Sequence, residues 1–591
     1  MHRMKKILFI KMSVLIAIMA ITLGGCKKVF EVLPEDKLDI NNAYKNVADA
    51  DAAVIGIYGK FQNLAKQYVL LNEVRADLLD VTNNADPYLK QLNTHSVTGD
   101  NPYADPRPFY EVILNCNDVL KNFNIMNEKH LMSVDDYQKR YSDILTLRCF
   151  LYLQLGIQYG SVPYVTDALS SVDDLKNESL FPKLNLDALL DKLIADMKQM
   201  PYISSYSYPT GSSLSITTDG SNTQRMFINK YYMLGELQLW KGNYLEAAKN
   251  YKNVMETEAT NTNTNSMFNT FHVNYNDGTY GNGVSYTDGG TNYGGLHSES
   301  ALSYSITYGF KSMFCLSNTA ANWNHEWIWA MPYNPGFNPT NPFIELFANT
   351  GAGKYMLKPA QTAIDAWASN PQGNGIPYDA RGKLSYTTVN GQPVVMKYIY
   401  NYDPLVPLTR NGMWYLWRGA GLHLHYAEAA NRDGKGKLAW ALLNTGIANT
   451  FADATLASST NTAAYLASMI TPYEEPYRFN AQYIASNTAY RGPYHKNAGV
   501  RGRSGVVAIN TSYQTDMTGL ESKLIDEGSL ELAFEGNRWA DLVRVARRRN
   551  DPSFLAERVY QKLLKDGNSE ASTVRAKLMN IENWYLPFKW K

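Results

Sequence analysis

The stretch YYMLGELQLWKGNYLEAAKNYKNV, residues 231–254, has the periodicity of two helices separated by a short turn at Gly242. Tyr231, Leu234 and Gly235 lie before this turn. After it, small and apolar residues recur at intervals of three, four and three positions: Tyr244, Ala247, Tyr251 and Val254. Positions at this spacing share one face of a helix, so the stretch predicts two helices that pack against each other.

This pattern matches the helix–turn–helix of a tetratricopeptide repeat, in which small Gly and Ala residues let two helices nest closely. Ala259 stands where such a repeat usually closes with proline. One unit cannot bury its own apolar face, so it requires partner helices. The sequence offers partners at residues 137–200 and 418–450, and we expect three or four helix pairs in imperfect repeats.

Helical periodicity continues outside this unit. The intervals between apolar residues predict further helices at residues 41–68, 109–123, 137–159 and 186–200. The third of these meets Gly160 and then Pro163, which are typical residues at and after the end of a helix.

Segments of different composition separate the helices. Residues 80–108 are rich in Asn, Asp and Pro and predict a long loop, a feature that is often functional. Residues 258–320 are dominated by Asn, Thr, Gly and Tyr and predict loop with short hairpins. A strand is expected at 326–331, followed by a proline-rich loop at 332–342 and irregular chain at 351–415.

Together these patterns predict a mainly α protein. Tetratricopeptide-like helix pairs form its scaffold, and a loop-rich subregion with a few short strands binds a ligand. We expect one domain over residues 41–591, with the scaffold at approximately 41–257 and 416–591 and the loop-rich insertion at approximately 258–415.

The first residues have the composition of an export signal. A basic start is followed by an apolar stretch from Ile7 to Leu23 that only Lys11 interrupts. This stretch is too short and too interrupted to be interpreted as a membrane-spanning helix. The closing Leu-Gly-Gly-Cys resembles a bacterial lipoprotein signal, in which Cys26 becomes the lipidated N-terminus. We expect a signal peptide at 1–25 and a lipidated tether at 26–40.

Composition excludes some classes of function. Without residues 1–25 the chain has 52 basic and 55 acidic residues, a formal charge of −3, whereas a nucleic-acid binder has a basic excess. Cys116, Cys149 and Cys315 are too few and too widely spaced for a disulfide framework, and we expect buried, inert thiols. The 42 Tyr and 11 Trp suit a surface for hydroxyl-rich ligands, although exported proteins also carry many Tyr in solvated loops.

Residues 531–544 give the most specific signal. Their sequence, ELAFEGNRWADLVR, resembles the C-terminal motif of the SusD/RagB family, which are outer-membrane nutrient-binding lipoproteins of Bacteroidetes. Further segments resemble family motifs in the same order along the chain: Leu147–Phe150 with Tyr159–Pro163, His425–Ala429, Val500–Arg503 and Asn583–Pro587.

The resemblance implies a function and a partner. The chain is expected at the cell surface, anchored in the outer membrane by its lipid, beside a SusC-like TonB-dependent barrel. It would bind an oligomeric nutrient and deliver it to that barrel as a hinged lid. A glycan, either oligosaccharide or polysaccharide, is the expected ligand, because flat aromatic rings cover sugar faces while polar groups bind the hydroxyls. An oligopeptide ligand and a lipid-anchored hydrolase are the alternatives.

The motif also has an account in the residues themselves. If it forms one helix, Glu531 and Glu535 lie four residues apart and Glu535, Arg538, Asp541 and Arg544 follow at intervals of three. Such spacing predicts a ladder of opposite charges on the helix surface. A catalytic pair of Glu531 and Glu535 is the alternative, but neighbouring arginines would keep both carboxylates ionised.

Other candidate chemistry fails on spacing. His325-Glu326 begins like a zinc-protease motif, but the second histidine is replaced by Trp329. His423 and His425 are two residues apart and would face different directions on a helix. The Asp-Gly turns at 277 and 288 lack the spaced ligands of a calcium loop. We therefore expect no catalytic residues, no metal and no cofactor; calcium remains possible without support.

No family motif identifies the ligand contacts, so the candidates rest on loop position and chemistry. They are aromatic, amide and carboxylate side chains in the first long loop and around the expected strand. They are Asp80, Asn83, Asn84 and Tyr88 in the loop, and Trp323, Tyr333 and Phe337 around the strand.

Overall fold

The computed structural model describes residues 44–169, 171–177, 180–218, 221–257, 326–334, 338–373, 375–405, 412–459, 463–483, 492–495 and 497–589. It also describes short pieces at 271, 273, 287–288, 291–292, 310 and 312–315. The expected signal and tether, with Cys26, and most of the expected loop at 258–320 lie outside these residues. Within the part that is described, no helix is both long enough and apolar enough to cross a membrane.

Helices dominate the described chain. In order they are α1 (Val47–Gln62), α2 (Ala65–Val69), α3 (Pro87–Asn93), α4 (Arg107–Glu128), α5 (Val134–Tyr159), α6 (Leu186–Lys198), α7 (Lys230–Lys241), α8 (Tyr244–Met255), α9 (Ser312–Cys315), α10 (Phe343–Phe347), α11 (Gln361–Ala368), α12 (Ala380–Ser385), α13 (Gly419–Arg432), α14 (Gly436–Leu443), α15 (Ile447–Phe451), α16 (Ala463–Ser468), α17 (Val500–Arg503), α18 (Met517–Glu531), α19 (Arg538–Arg549), α20 (Ser553–Lys565) and α21 (Ala571–Leu578).

The strands are short and form two-stranded antiparallel sheets, β1–β9, β2–β3, β4–β5, β6–β7, β8–β12 and β10–β11. They are β1 (Leu79–Val81), β2 (Ser161–Pro163), β3 (Lys183–Asn185), β4 (Thr217–Thr218), β5 (Ser221–Asn222), β6 (Thr287–Asp288), β7 (Thr291–Asn292), β8 (Trp327–Tyr333), β9 (Leu357–Pro359), β10 (Tyr386–Val389), β11 (Gln392–Val395) and β12 (Gly412–Arg418). A helical protein with a few small sheets is the predicted fold class, and it is confirmed.

The scaffold is a continuous series of packed helices. α4 packs on α5, α5 on α6, α6 on α7 and α7 on α8. α8 then contacts α13, which packs on both α14 and α18. The helices predicted as partners of the central unit therefore do lie beside it, and each apolar face is covered by the next helix.

The helix pair predicted from residues 231–254 is α7 and α8. The side chain of Asn229 caps α7 by accepting a hydrogen bond from the Tyr232 N–H (2.9 Å), and Gly242 ends the helix with a φ of 85°. A Cβ at Gly235 would lie 2.5 Å from the Tyr251 ring. Glycine at that position is therefore what lets the two helices nest.

Aromatic side chains join the β8–β12 sheet to the helices. Trp329 of β8 stacks on Phe61 of α1, with 5.3 Å between ring centroids, and Trp417 of β12 stacks on Tyr232 of α7 at 4.4 Å. Phe150 of α5 contacts both tryptophans edge-on. The strand predicted at 326–331 is thus present, and it lies in the core.

Two segments that are predicted to be irregular contain short helices and strands. Residues 80–108 contain the end of β1, α3 and the start of α4, and residues 351–415 contain β9, α11, α12, the β10–β11 hairpin and most of β12. Both expectations of irregular chain are wrong. Short elements such as these have too few residues for a clear periodic signal, and β1 and β12 pair with strands that are distant in sequence, β9 and β8. The β10–β11 hairpin is local, and its signal is the Asn390-Gly391 turn rather than a periodicity.

The motif at 531–544 is not one helix. α18 ends at Glu531, and Phe534 and Gly536 then adopt positive φ angles of 72° and 88° before α19 begins at Arg538. The expected ladder of exposed charges along one helix is therefore wrong, since Glu531 ends α18, Glu535 lies in the turn, and all the charged side chains of the motif are buried. Within α19, the predicted neighbours Asp541 and Arg544 do pair (2.7 Å).

Candidate ligand-binding groove

The motif carboxylates are the centre of a buried network of charges. Glu531 is inaccessible to solvent, and its Oε2 accepts a hydrogen bond from Arg381 (2.8 Å) and its Oε1 one from Arg418 (2.7 Å). Arg503 pairs with the same oxygen, Oε1. These arginines come from α12, β12 and α17, so one carboxylate holds three segments of the chain together.

Glu535 extends this network by accepting hydrogen bonds from Arg418 (2.8 Å) and Lys397 (2.7 Å). Burial alone would raise the pKa of Glu531, but Arg503, Arg418 and Arg381 outweigh it and hold that pKa far below its usual range. The pKa of Glu535 is lowered for the same reason. Two ionised carboxylates that are buried and paired with cations have no proton to donate and no access to a substrate.

The two histidines serve different structural contacts. His425 lies between Glu236 (2.6 Å from Nδ1) and Asp541 (3.3 Å from Nε2), whereas His423 faces the backbone of Phe271. They point in different directions, as their spacing predicts. Among the described residues, no group of three or more His, Cys, Asp or Glu side chains is arranged to hold a metal ion.

The buried thiols are confirmed at two positions. Cys116 and Cys149 are free and inaccessible to solvent, and burial raises the pKa of Cys116 to about 12. The side chain of Cys315 lies outside the described residues. Neither of the two described cysteines is available for surface chemistry.

A groove of about 460 Å³ opens between α1, the segment around β4 and β5, and the end of β8. Its size is that of a small-ligand site. We call it the ligand groove. Its walls are mainly apolar with polar groups at the rim, and the residues that form them are Asp51, Ile55, Gly59, Gln62, Ser213, Leu214, Ile216, Thr223, Met331, Pro332, Asn334, Asn338 and Pro339, above Tyr58, Met226 and Phe227.

Helix geometry positions one wall. Asp51, Ile55, Gly59 and Gln62 recur at intervals of three to four along α1 and share one face. This face is separate from the face that packs in the core through Val54, Phe61 and their neighbours. Ile55 is 57% exposed, so α1 presents an apolar side chain to the groove rather than to the core.

Hydrogen bonds hold the floor and the rim in place. The Tyr58 hydroxyl, beneath the groove, donates to Asp143 (2.8 Å) and accepts from the Ile228 N–H (3.0 Å). At the rim, the Gln62 amide donates to the Pro332 carbonyl (2.8 Å) and ties α1 to β8. The groove is therefore formed in advance of any ligand, which lowers the entropic cost of binding.

The loop candidates have different surroundings. Asp80 is 6% exposed, and its carboxylate accepts a hydrogen bond from Asn93 (2.8 Å) and pairs with Lys358 (3.3 Å). A side chain so enclosed supports the fold and does not present its oxygens at the surface. Asn83 and Asn84 are exposed, and Asn84 donates to the Lys354 carbonyl (3.1 Å).

The remaining candidates divide between the core and the undescribed chain. Tyr88 is half-buried on α3. Tyr333 is buried and packs edge-on against Phe343, at 6.2 Å between centroids. Trp323 and Phe337 lie outside the described residues. As a ligand contact, Tyr333 is misplaced, because its side chain turns inward from β8 while Pro332 and Asn334 on either side of it line the ligand groove.

Salt bridges connect the first loop to the groove region. Lys66 of α2, the next turn along from Gln62, pairs with Glu345 (2.9 Å). Glu345 also pairs with Lys354 (2.5 Å), whose carbonyl accepts the bond from Asn84. These contacts link the exposed Asn84 amide through Lys354 and Glu345 to Lys66, which lies one turn beyond the groove residue Gln62. Ile55 is a groove residue that was absent from the sequence-based candidates. The sequence could have indicated it, because it is an apolar residue beside the buried face of α1.

Comparison with known proteins identifies the fold. A SusD-like protein P38 of Formosa agariphila is 24% identical over 237 residues, which are 39% of this chain and 44% of that protein. The match thus spans less than half the length of this curated relative. The search against protein-family models found no match.

Solved structures match over nearly the whole chain. Surface glycan-binding protein A of Bacteroides uniformis superimposes with a TM-score of 0.55 at 16% identity, covering 91% of this chain and 95% of that one. A laminarin-binding SusD-like protein superimposes with a TM-score of 0.52 at 14% identity, covering 90% and 97%. The helical array with its small sheets is therefore the SusD-like fold, and the resemblance predicted from the motifs is confirmed.

Proposed function

We propose that this chain is a cell-surface lipoprotein that binds a glycan through the ligand groove and its adjoining loop surface. It delivers that glycan to a SusC-like TonB-dependent barrel in the outer membrane. The observation that carries the proposal is the SusD-like fold over about nine tenths of the chain, in which the solved relatives include a glycan-binding and a laminarin-binding protein.

The chemistry of the groove supports a neutral, oligomeric ligand. Its walls are apolar, which suits the C–H faces of sugar rings, and amides and hydroxyls at the rim suit their edges. The exposed amides of Asn83 and Asn84 extend the same polar chemistry beyond the groove. An oligomer longer than the groove would contact both regions at once.

An oligopeptide is the alternative ligand. Its support is the aliphatic character of the groove walls, and no sequence motif points to it. Ile55, Ile216 and Met331 could accept apolar side chains as well as sugar faces. The anchored hydrolase has no supporting observation among the described residues. We also propose that residues 26–40 form the lipidated tether and that residues 41–591 form a single domain.

The test uses residues 27–591, which lack the signal and Cys26. Isothermal titration against a panel of neutral tetrasaccharides of glucose, mannose, galactose and xylose, and against tetrapeptide mixtures, separates the two ligand classes. We expect binding to at least one tetrasaccharide and none to the peptides. Binding to peptides alone would replace the glycan proposal, and release of shorter sugars during incubation would support the hydrolase instead.

A matched pair of variants locates the binding. Ile55→Gln changes a 57% exposed wall residue on α1, while Leu564→Gln changes a 50% exposed residue on α20 outside the groove. Loss of the apolar contact should weaken binding about five- to tenfold, or roughly 1 kcal/mol. Leu564→Gln should bind like the wild type; equal effects of both variants would place the ligand elsewhere.

A further inference from the structure

A second cleft, of about 430 Å³, lies on a different part of the molecule from the ligand groove. Its walls come from the end of α5, the β3–α6 junction, α19 and the C-terminal segment. No residue lines both the cleft and the groove. We call it the Tyr585 cleft, after the aromatic side chain in its wall.

The ring of Tyr585 is fixed in position by the backbone beneath it. A Cβ at Gly160 would lie 2.7–2.8 Å from three ring atoms of Tyr585, so one face of the ring rests on the bare glycine backbone. Gly160 has a φ of 72°, a conformation that disfavours other residues. The adjoining Leu586 N–H donates to the Gln158 carbonyl (2.9 Å), which anchors this segment to α5.

Polar groups of several kinds surround that ring. Arg547 pairs with Asp187 (3.2 Å) at 23% and 66% side-chain exposure, and Glu582 and Asn185 also line the cleft. Tyr585 and these three charged residues line the same cleft. Burial raises the pKa of Tyr585, Arg547 opposes this shift, and Glu582 and Asp187 add to it. The cleft thus combines an immobilised ring with carboxylates, an amide and a guanidinium.

This combination differs from the aliphatic ligand groove and matches the chemistry that recognises a sugar. An aromatic face covers the C–H surface of a pyranose, and carboxylates and guanidinium groups bind adjacent hydroxyls. The two carboxylates exceed the single arginine, which disfavours an anionic ligand. The charges thus disfavour an acidic sugar, and the aromatic face with its hydrogen-bonding groups suits a neutral one.

We infer that the Tyr585 cleft is a second carbohydrate site, which holds one end or branch of a neutral glycan while the ligand groove holds another. The inference rests on the proposed function for the class of ligand and adds the site. Two sites on one rigid chain would retain a long polysaccharide more tightly than a short oligosaccharide, because the second contact becomes intramolecular.

Titration of residues 27–591 with the same neutral tetrasaccharides measures the number of sites. We expect two equivalents of at least one sugar. The double variant Asp187→Asn, Glu582→Gln keeps the shape of two exposed side chains. It should lower the affinity of one of the two bound equivalents at least tenfold. Tyr585→Ala should abolish that equivalent, with its melting temperature recorded because the ring packs on Gly160. Glu570→Gln, an exposed carboxylate away from the cleft, is the matched control and should change nothing.

The outcomes separate the two sites. A single equivalent whose affinity falls in Ile55→Gln and is unaffected by the cleft variants would overturn the second site and leave the proposed function intact. One equivalent lost only in the cleft variants would support the cleft and overturn the groove. No binding to any sugar of the panel would contradict both.

Discussion

Glu531 has no access to water and yet keeps its charge, because guanidinium groups from three separate segments converge on it. If a substitution removes this carboxylate, water cannot reach the site to take over its hydrogen bonds. Its neighbours would then be buried cations with too few partners, which is among the most costly situations in a protein interior. The most specific motif of the sequence is thus explained by stability rather than by ligand contact.

Glu531→Gln is predicted to lower the free energy of unfolding by roughly 3–5 kcal/mol, since it removes one charge from a buried network and leaves the arginines in place. Urea denaturation followed by circular dichroism measures the change. Glu246→Gln is the control, because Glu246 pairs with Lys249 (2.6 Å) at about half exposure and should cost no more than about 1 kcal/mol. A Glu531 variant as stable as this control would mean that the network contributes little.

His425 makes a prediction about pH. Burial opposes its charge, but Glu236 and Asp541 outweigh burial and raise its pKa to about 10. A histidine in the unfolded chain titrates near pH 6.5. The folded state therefore binds an extra proton between these values, and the stability from His425 is fully present below about pH 6.5 and is lost as pH rises through about 10.

His425→Gln is the variant that isolates this effect. Lys230 and Lys562, whose pKa values burial lowers to about 8, titrate in the same range with the opposite sign, so the wild type alone does not resolve the histidine. The difference in unfolding free energy between wild type and variant should shrink from pH 6.5 to pH 10. A difference that is constant across this range would show that His425 is neutral in the folded protein.

At the scale of elements, long helices with regular periodicity were predictable, whereas among the short, paired strands β8 was predicted and β1 and β9 were not. The helices at 137–159 and 186–200 match α5 and α6 to within a few residues, because each carries its own apolar stripe. Strand β9 depends on β1, which precedes it by almost 280 residues, so no local pattern identifies either one. The turn between Glu531 and Arg538 was missed for a related reason, since Phe534 adopts a positive φ that a bulky residue rarely takes.

The ligand groove shows the same limit. Its walls come from α1, from the chain around β4 and β5, and from the end of β8, which are distant in sequence. The sequence predicted ligand contacts in the region around Tyr333, but it did not indicate which side of β8 faces outward. The aromatic candidate therefore lies in the core and its two neighbours line the groove.

Gly235 provides a test of the nested helix pair. A Cβ there would meet the Tyr251 ring at 2.5 Å, so Gly235→Ala should force α7 and α8 apart and destabilise the protein by about 1–3 kcal/mol. Gly56→Ala is the matched control, because this exposed glycine of α1 has nothing within 4 Å and should gain up to about 1 kcal/mol from helix propensity. Thermal unfolding of both variants measures the contrast, and a stabilised Gly235 variant would mean that the pair can adjust.

At the scale of the whole molecule, the segment after α2 packs against the C-terminal helices, more than 460 residues further along the chain. Glu73 accepts hydrogen bonds from the N–H groups of Gly536 (2.7 Å) and Asn537 (3.1 Å) at the start of α19. Lys562 donates to the Val74 carbonyl (2.9 Å). The segment that follows α2 is therefore bound to the C-terminal part of the fold, at the start of α19 and on α20.

Lipidation at Cys26 is predicted to anchor the folded chain in the membrane. Each buried CH₂ of an acyl chain contributes roughly 0.8 kcal/mol, and several chains together make anchoring stable. Cys26→Ala in the full-length chain is predicted to move the protein from the outer-membrane fraction to the soluble fraction with its helical content unchanged. The experiment uses a strain that lacks the barrel partner, since binding to the barrel would otherwise retain the protein. Cys116→Ala removes a buried internal thiol and should stay with the membrane; a Cys26 variant that also stays there would disprove the anchor.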